Sequence, residues 1–462
     1  MRYIGLHLFF IVSTSHLPFC QAQDSGAESR RVPLIQKIEL LNGLKVIEAQ
    51  RVPAPKVALF LLIKAGSAWD PPEKMGTAYL TAESLFFANQ KETPEHLKEV
   101  MDNLGVEFKI RVDPDATVFE AEVPLLNLET LLSLWRSIVM HPLFQQEGIN
   151  RIKREIQESK MKLTYPLELA KARFSNLIFG KHPYANAVSG NLYSRENIGR
   201  DDLDAFYQTH YIPNNAAIVL VGEITPSQVA AMVRERFGGW TKGLKMEMQY
   251  PEIASRERFT MSIVENRSQE DAILFFGHVG PPRATSDFYA LKVMNLIIGG
   301  LSRSSRLERG FLARNINYRT LKSEFLFYQS GGEFQVTAQV PSDSAGPSLQ
   351  ALTDILDAFK NSRVTESELT AAKASLGEWH AEVLNSPSRV ADQVTSMELY
   401  NLANDFLISF PKKVEQVTVD RVEEAAKSYL NTSRASAVIV GAGDRLMTDL
   451  KKFGPVEVTE SP

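Results

Sequence analysis

Cysteine is nearly absent from this chain, since Cys20 is the only one in 462 residues. Residues 1–22 read as a secretory signal: Arg2 is the positive start, Tyr3 to Val12 the apolar core, and Cys20-Gln21-Ala22 the small-residue cleavage site. Removal there leaves a product that begins near Gln23 without a thiol. Disulfides and thiol catalysis in an oxidising compartment are then excluded. A lipidated Cys20, through Leu17-Pro18-Phe19-Cys20, is the alternative, and the bulky Phe19 argues against it. Long apolar runs are missing too. None after the signal approaches the ~18–20 residues that cross a bilayer, so the expected product is exported and has no transmembrane segment.

Charge of one sign is also lacking. A net charge of −4 gives no electrostatic attraction for nucleic acid or an anionic membrane. No G-x-S-x-G elbow is present to suggest a serine hydrolase. The histidines beyond the signal (His96, His141, His182, His210, His278, His380) all stand more than a helical turn apart, so no two form a local metal pair. What remains is an ordinary globular composition, 44% hydrophobic and 23% charged, in a chain long enough for more than one domain.

The order of elements can be followed through that composition. Asn42-Gly43 between two alternating runs predicts a hairpin with a type I′ turn. Val57 to Lys64 is a buried strand, and a helix starts at Gly76 after a loop with Asp70-Pro71-Pro72. Pro94 to Leu104 is a helix ended by Gly105. Val106 to Val112 and Ala116 to Val123 pair around Asp113-Pro114-Asp115. Amphipathic helices follow at Leu125 to Val139, Gln146 to Leu163 and Ala170 to Phe179. The loop GKHPYANAVSG comes next, with His182 in a loop-ordering role. A helix ending at Tyr211 and a strand ending at Gly222 recur as a helix ending at Tyr429 and a strand ending at Gly441. That repeat predicts a duplicated α+β fold, each copy an antiparallel sheet with packed helices. The expected boundaries are a signal at 1–22, a polar leader at 23–32, domains at 33–240 and 259–458, and a linker at 241–258 around Pro251.

The stretch GSAWDPPEKMGTAYLTAES, Gly66 to Ser84, carries the functional argument. A strand, a GS turn, a proline loop and G-x-A opening a helix resemble the insulinase-like (pitrilysin) zinc metallopeptidases. His182-Pro183-Tyr184 with Gly190, Ser268-Gln269, Asp287, Gly299-Gly300, Ser305-Arg306-Leu307 and Glu368-Leu369 resemble further stretches of that family, in its order. The resemblance implies an inverted zinc motif, His-x-x-Glu-His, on the helix. Here those positions are Tyr79, Ala82 and Glu83, and a register slip of one still yields no histidine. The third ligand would fall on Glu155, which is more simply a solvated charge on a helix. Zinc chemistry needs three protein ligands and an open position, which one carboxylate cannot supply. No catalytic residue and no metal are therefore expected in this chain.

In two-subunit relatives the zinc-less subunit grips substrate with an arginine and a tyrosine seven residues later. Those positions are Ala313 and Thr320 here, with Arg314 and Tyr318 nearby as a shifted substrate-binding pair. The resemblance also implies a chamber of four such domains, of which this chain supplies two. The leading expectation is a non-catalytic subunit in a bacterial periplasm. It would pair with a His-x-x-Glu-His subunit, or a second copy of itself, around a peptide substrate, with zinc only in the partner. The alternative is a structural or binding protein that kept the fold and left proteolysis. A third reading, a peptidase with an unrecognised metal site, lacks a ligand set.

Overall fold

The computed structural model describes residues 32–51, 54–87, 93–106, 108–159, 165–254, 256–266, 270–301, 304–442, 450–454 and 456–460. The signal, the leader up to residue 31, Ser268-Gln269 and the expected helical end at 160–163 lie outside them. The first half runs β1 (Ile35–Glu39), β2 (Lys45–Gln50), β3 (Lys56–Ile63), α1 (Thr77–Leu85), α2 (Pro94–Leu104), β4 (Lys109–Val112) and β5 (Thr117–Pro124). It continues through α3 (Leu128–Met140), α4 (Gln146–Ser159), α5 (Tyr165–Phe179), α6 (Leu192–Glu196), α7 (Arg200–His210), β6 (Ala216–Gly222) and α8 (Pro226–Phe237). The described part of 241–258 carries neither helix nor strand. The second half runs β7 (Thr260–Glu265), β8 (Asp271–Gly280), α9 (Phe288–Asn295), α10 (Arg306–Ala313), β9 (Thr320–Phe327), β10 (Gly332–Pro341) and α11 (Ala345–Asn361). It ends with α12 (Glu366–Leu384), α13 (Pro387–Leu399), α14 (Phe406–Glu415), α15 (Val419–Tyr429), β11 (Ser436–Gly441) and β12 (Val456–Glu460). No helix among the described residues is long and apolar enough to cross a membrane.

The duplication is explicit in the two sheets. Their orders, β1-β2-β6-β3-β5-β4 and β12-β7-β11-β8-β10-β9, match at five of the six positions, and the first edge is filled from opposite ends of the two halves. The recurring endings seen in the sequence are α7 with β6 and α15 with β11. Both sheets are antiparallel except at equivalent parallel pairs, β2 with β6 and β7 with β11, and at one edge: β12 is parallel to β7, whereas β1 is antiparallel to β2. The central strands are apolar throughout because both faces are covered. In β3, Val57 to Ile63 are all buried.

The β1–β2 turn departs from the type I′ expectation. Gly43 has φ 85°, but Asn42 is not among the residues with positive φ. The Gly43 N–H donates to the Leu40 carbonyl and Leu40 N–H to that of Leu44, leaving Gly43 as a bulge after an ordinary turn. Asn42 works through its side chain, donating to the carbonyls of Phe237 (2.9 Å) and Trp240 (3.1 Å) beyond α8.

Each half lends one helix to the other. Helix α5 packs on β8 and β11, where Ala170, Phe174 and Ile178 bury against Ile273, Phe275, Val438 and Val440. Helix α13 packs on β3 and β6 through a face that includes Val390, Ala391 and Val394. At its end Glu398, 5% exposed, accepts from Lys45 and Lys64 (2.7 Å each) and Lys37 (3.3 Å). Burial pushes this carboxyl up, but the lysine bonds outweigh it and hold it at about 2. Burial also pulls Lys64 down, which offsets part of the gain. A carboxyl depressed in the fold contributes stability above its unfolded value of 4.5 and loses it as pH falls through about 2. Glu398→Gln is expected to cost about 2 kcal/mol at pH 7. Urea titrations of variant and wild type should converge near pH 2, and an equal gap at both pH values would rule out the charge as its source.

Candidate functional site: a degenerate metal motif on an intact frame

The loop between β3 and α1 is built from its own sequence. Asp70 turns back on the helix start, accepting the N–H of Gly76 on one oxygen and of Ala78 on the other, both at 2.7 Å. Carboxylates favour this place because the first-turn N–H groups lack helical partners. Burial nevertheless pushes Asp70 up to about 7. The loop is pinned from outside by a Lys74–Asp202 ion pair and by the Ser194 hydroxyl, which donates to the Met75 carbonyl at 2.8 Å. Gly190, with φ 69°, approaches so closely that a Cβ there would lie 2.1 Å from the Met75 oxygen. Only glycine fits.

Helix α1 therefore presents its residues on a defined frame, but the three motif positions hold no metal-binding set. Ala82 is fully buried in the core and offers no donor atom. Tyr79 and Glu83 are half-buried one turn apart and hydrogen-bond to each other. Burial pushes the Tyr79 hydroxyl up, and the negative charges of Glu83, Glu168 and Glu155 add to the shift. Burial also raises Glu83, with the Tyr79 bond opposing and Glu155 adding repulsion. Helix α4 thus brings Glu155 into electrostatic range of Glu83, as the third-ligand position would be. Yet Glu155 is exposed and paired with Arg151 at 2.8 Å. Among the described residues no group of three or more His, Cys, Asp or Glu side chains is arranged to hold a metal ion. This donor set does not fit zinc.

Four of the histidines serve the fold locally. His182 accepts the Tyr184 N–H on Nδ1 (3.2 Å), ordering its loop as the sequence suggested. Burial pushes His210 down to about 4, between Trp69 and Phe206. His278 and His380 bond to the carbonyls of Val279 and Leu407.

One buried cluster was not visible in the sequence. Asp115, 2% exposed, accepts the hydroxyls of Tyr184 (2.6 Å) and Tyr250 (3.0 Å) and the N–H of Gln329 (2.7 Å), and Tyr400 also bonds to it. Tyr184 in turn accepts the Ser330 N–H at 3.1 Å. The β4–β5 turn, the 182–184 loop, the 241–258 segment, the β9–β10 turn and the end of α13 meet at this carboxyl.

Residues 45–190 match the family described as Insulinase (Peptidase family M16), and residues 197–376 match that described as Peptidase M16 inactive domain. An uncharacterized zinc protease of Mycobacterium leprae is 22% identical over 427 residues, covering 91% of this chain and 95% of the relative. The crystal structure of a peptidase M16 inactive domain from Pseudomonas fluorescens superposes with a TM-score of 0.82 at 24% identity, covering 88% of this chain and 98% of that one. That of a protease from Helicobacter pylori also reaches 0.82, at 18% identity, over 88% and 100% of the two chains. This chain belongs to the insulinase-like M16 family.

The M16 substrate pair inferred near α10 is drawn into local bonds. Arg314, at the end of α10, donates to the Gly310 carbonyl (3.1 Å) and faces Asp354 at 3.6 Å. Tyr318 donates to Glu308 at 3.1 Å and packs its ring edge-on to Phe311. Each contact fastens the α10–β9 connection of this M16 chain. The sequence offered no sign of that, because Tyr318 meets Glu308 only when the connection folds back on α10, and Arg314 meets Asp354 only once α10 packs on α11.

Proposed function

We propose that this chain is a non-catalytic M16 subunit that pairs with a zinc-bearing subunit to form a peptide-degrading chamber. The observation that carries this reading is the contrast at α1. The loop is capped, pinned and closely packed, yet the ligand positions hold Tyr79, Ala82 and Glu83. A frame kept in such detail without a metal set suits a partner's chemistry better than its own. The name of the Pseudomonas structure and the matched inactive-domain description support the same reading. The chain would shape the wall and admit extended peptide, while a His-x-x-Glu-His partner, or a complex that includes one, holds the zinc. Export to a periplasm, as its first residues suggest, would place it with such a partner.

Capture from the native envelope followed by peptide hydrolysis assays is the direct test. The isolated chain is expected to show no chelator-sensitive hydrolysis. The captured complex should contain a stoichiometric zinc-motif subunit and lose its activity on chelation. An isolated chain that hydrolyses peptides and loses that activity with chelator would overturn the proposal. An inactive assembly without such a subunit would favour a scaffold or binding protein.

A further inference from the structure

The β8–α9 connection stands in the second half where the β3–α1 connection stands in the first, because β8 and β3 hold the same place in their sheets. Here the loop gives the helix start no side-chain cap, Asp287 making none. Between it and α14 lies an open pocket of about 480 Å³, with Arg283, Phe288, Tyr289, Phe406, Lys413 and Val417 in its walls. That size falls within the range of small-ligand sites. Arg283 is fixed at its root, its N–H donating to the Tyr328 carbonyl at 2.8 Å. Its guanidinium lies 3.7 Å from the Phe288 ring centre and 5.1 Å from that of Phe406. Lys413 reaches over Tyr289 at 5.5 Å, and Lys292 approaches the Phe288 ring at 5.6 Å.

The charge in this pocket is compensated only in part. Arg421, at the rim, is bound to Asp287 and Glu424. Among the described residues, no carboxylate comes within ion-pair distance of Arg283, Lys413 or Lys292. Burial pushes Arg283 down to about 10, and Lys292 is lowered by burial and then by Arg283 itself, with the Glu324 carboxylate opposing. A partly desolvated arginine over two rings lacks the anion that would offset its burial. The missing complement is a carboxylate with an apolar group beside it. A peptide terminus offers both on one residue: two oxygens for Arg283 and Lys413, and a side chain for the apolar wall.

The geometry points to a binding site for the carboxy-terminal residue of a peptide, its carboxylate held by Arg283 and Lys413 and its apolar side chain against Tyr289 and Leu402, less buried apolar residues of the lining. The choice of a peptide among amphipathic carboxylates rests on the proposed peptide-handling role. Binding by the isolated full chain needs neither partner nor hydrolysis, so this site and that role can fail separately.

The test is fluorescence anisotropy with a decapeptide labelled at its amino end and ending in phenylalanine, prepared as free acid and as amide. The acid is expected to bind about tenfold more tightly than the amide. Arg283→Met, which keeps an apolar stem over the rings, should abolish that preference. If Arg283→Met melts early, Lys413→Glu, at a half-exposed position on α14, carries the test and should also abolish it. Equal binding of acid and amide, or a preference that survives Lys413→Glu, overturns the site. Displacement of the peptide by decanoate at concentrations below the peptide's own Kd overturns the peptide assignment in favour of a fatty-acid carboxylate.

Discussion

Asp115→Ala is expected to destabilise the protein by about 4 kcal/mol, since it leaves three tyrosine hydroxyls and a backbone N–H without their acceptor. Each such group costs about 1–3 kcal/mol when unpaired, and water can recover part of that. For a chain of this length the loss corresponds to a fall in Tm of about 4 °C. Asp115→Asn retains an acceptor oxygen and should lose less. Burial dominates at this carboxyl and raises its pKa despite the bonds it accepts, so it is held in place by geometry more than by charge. Calorimetry on both variants decides the matter. A loss below about 1 kcal/mol for alanine would mean that the five segments meeting there are held by their apolar contacts instead.

The opposite sign is expected at Glu48. This β2 residue is 3% exposed, and neither of its oxygens has a hydrogen-bond partner. Strand alternation puts it on the same face as Val46, which packs in the core with Val229 and Val233 of α8. Burial pushes its carboxyl from 4.5 up to about 7. A carboxyl raised in the fold is neutral in both states below pH 4.5 and imposes no ionisation cost there. As pH rises the unfolded chain ionises first, and the full penalty is present above pH 7. The shift corresponds to about 3 kcal/mol. Glu48→Leu should recover most of that at pH 8.5 and little at pH 4.5. Glu48→Gln should gain less, because its amide stays unbonded. Denaturant midpoints at the two pH values separate the causes. A leucine gain that is the same at both would trace to packing.

The parts legible in the sequence were the local ones. The β3 run, the helix after Gly76, the recurring helix and strand endings and the missing histidines can each be read within a dozen residues. The family match then followed from their order. The parts that stayed hidden depend on residues far apart. Asp115 looked like a turn residue, and nothing in its neighbourhood names Tyr184, Tyr250 or Tyr400. Asp70 looked like a loop aspartate before two prolines, and its hold on Gly76 and Ala78 required the loop to fold back. Asn42-Gly43 marked its hairpin correctly but not the turn type, because the Asn42 side chain is committed to α8. Glu83 and Glu155 could be assigned to motif positions, whereas their mutual repulsion became visible only when α1 met α4.

The exchange of α5 and α13 sets an order for folding. The first sheet uses residues 35–222, but the helix that covers one of its faces is Pro387–Leu399. Until nearly the whole chain has been made, β3 and β6 have an uncovered apolar side and α5 has no sheet to lie on. Such surfaces invite misassociation while they wait. Contacts this distant in sequence also form slowly. Neither copy of the duplicated unit can finish alone, and the last two hundred residues act as the template on which the first two hundred settle.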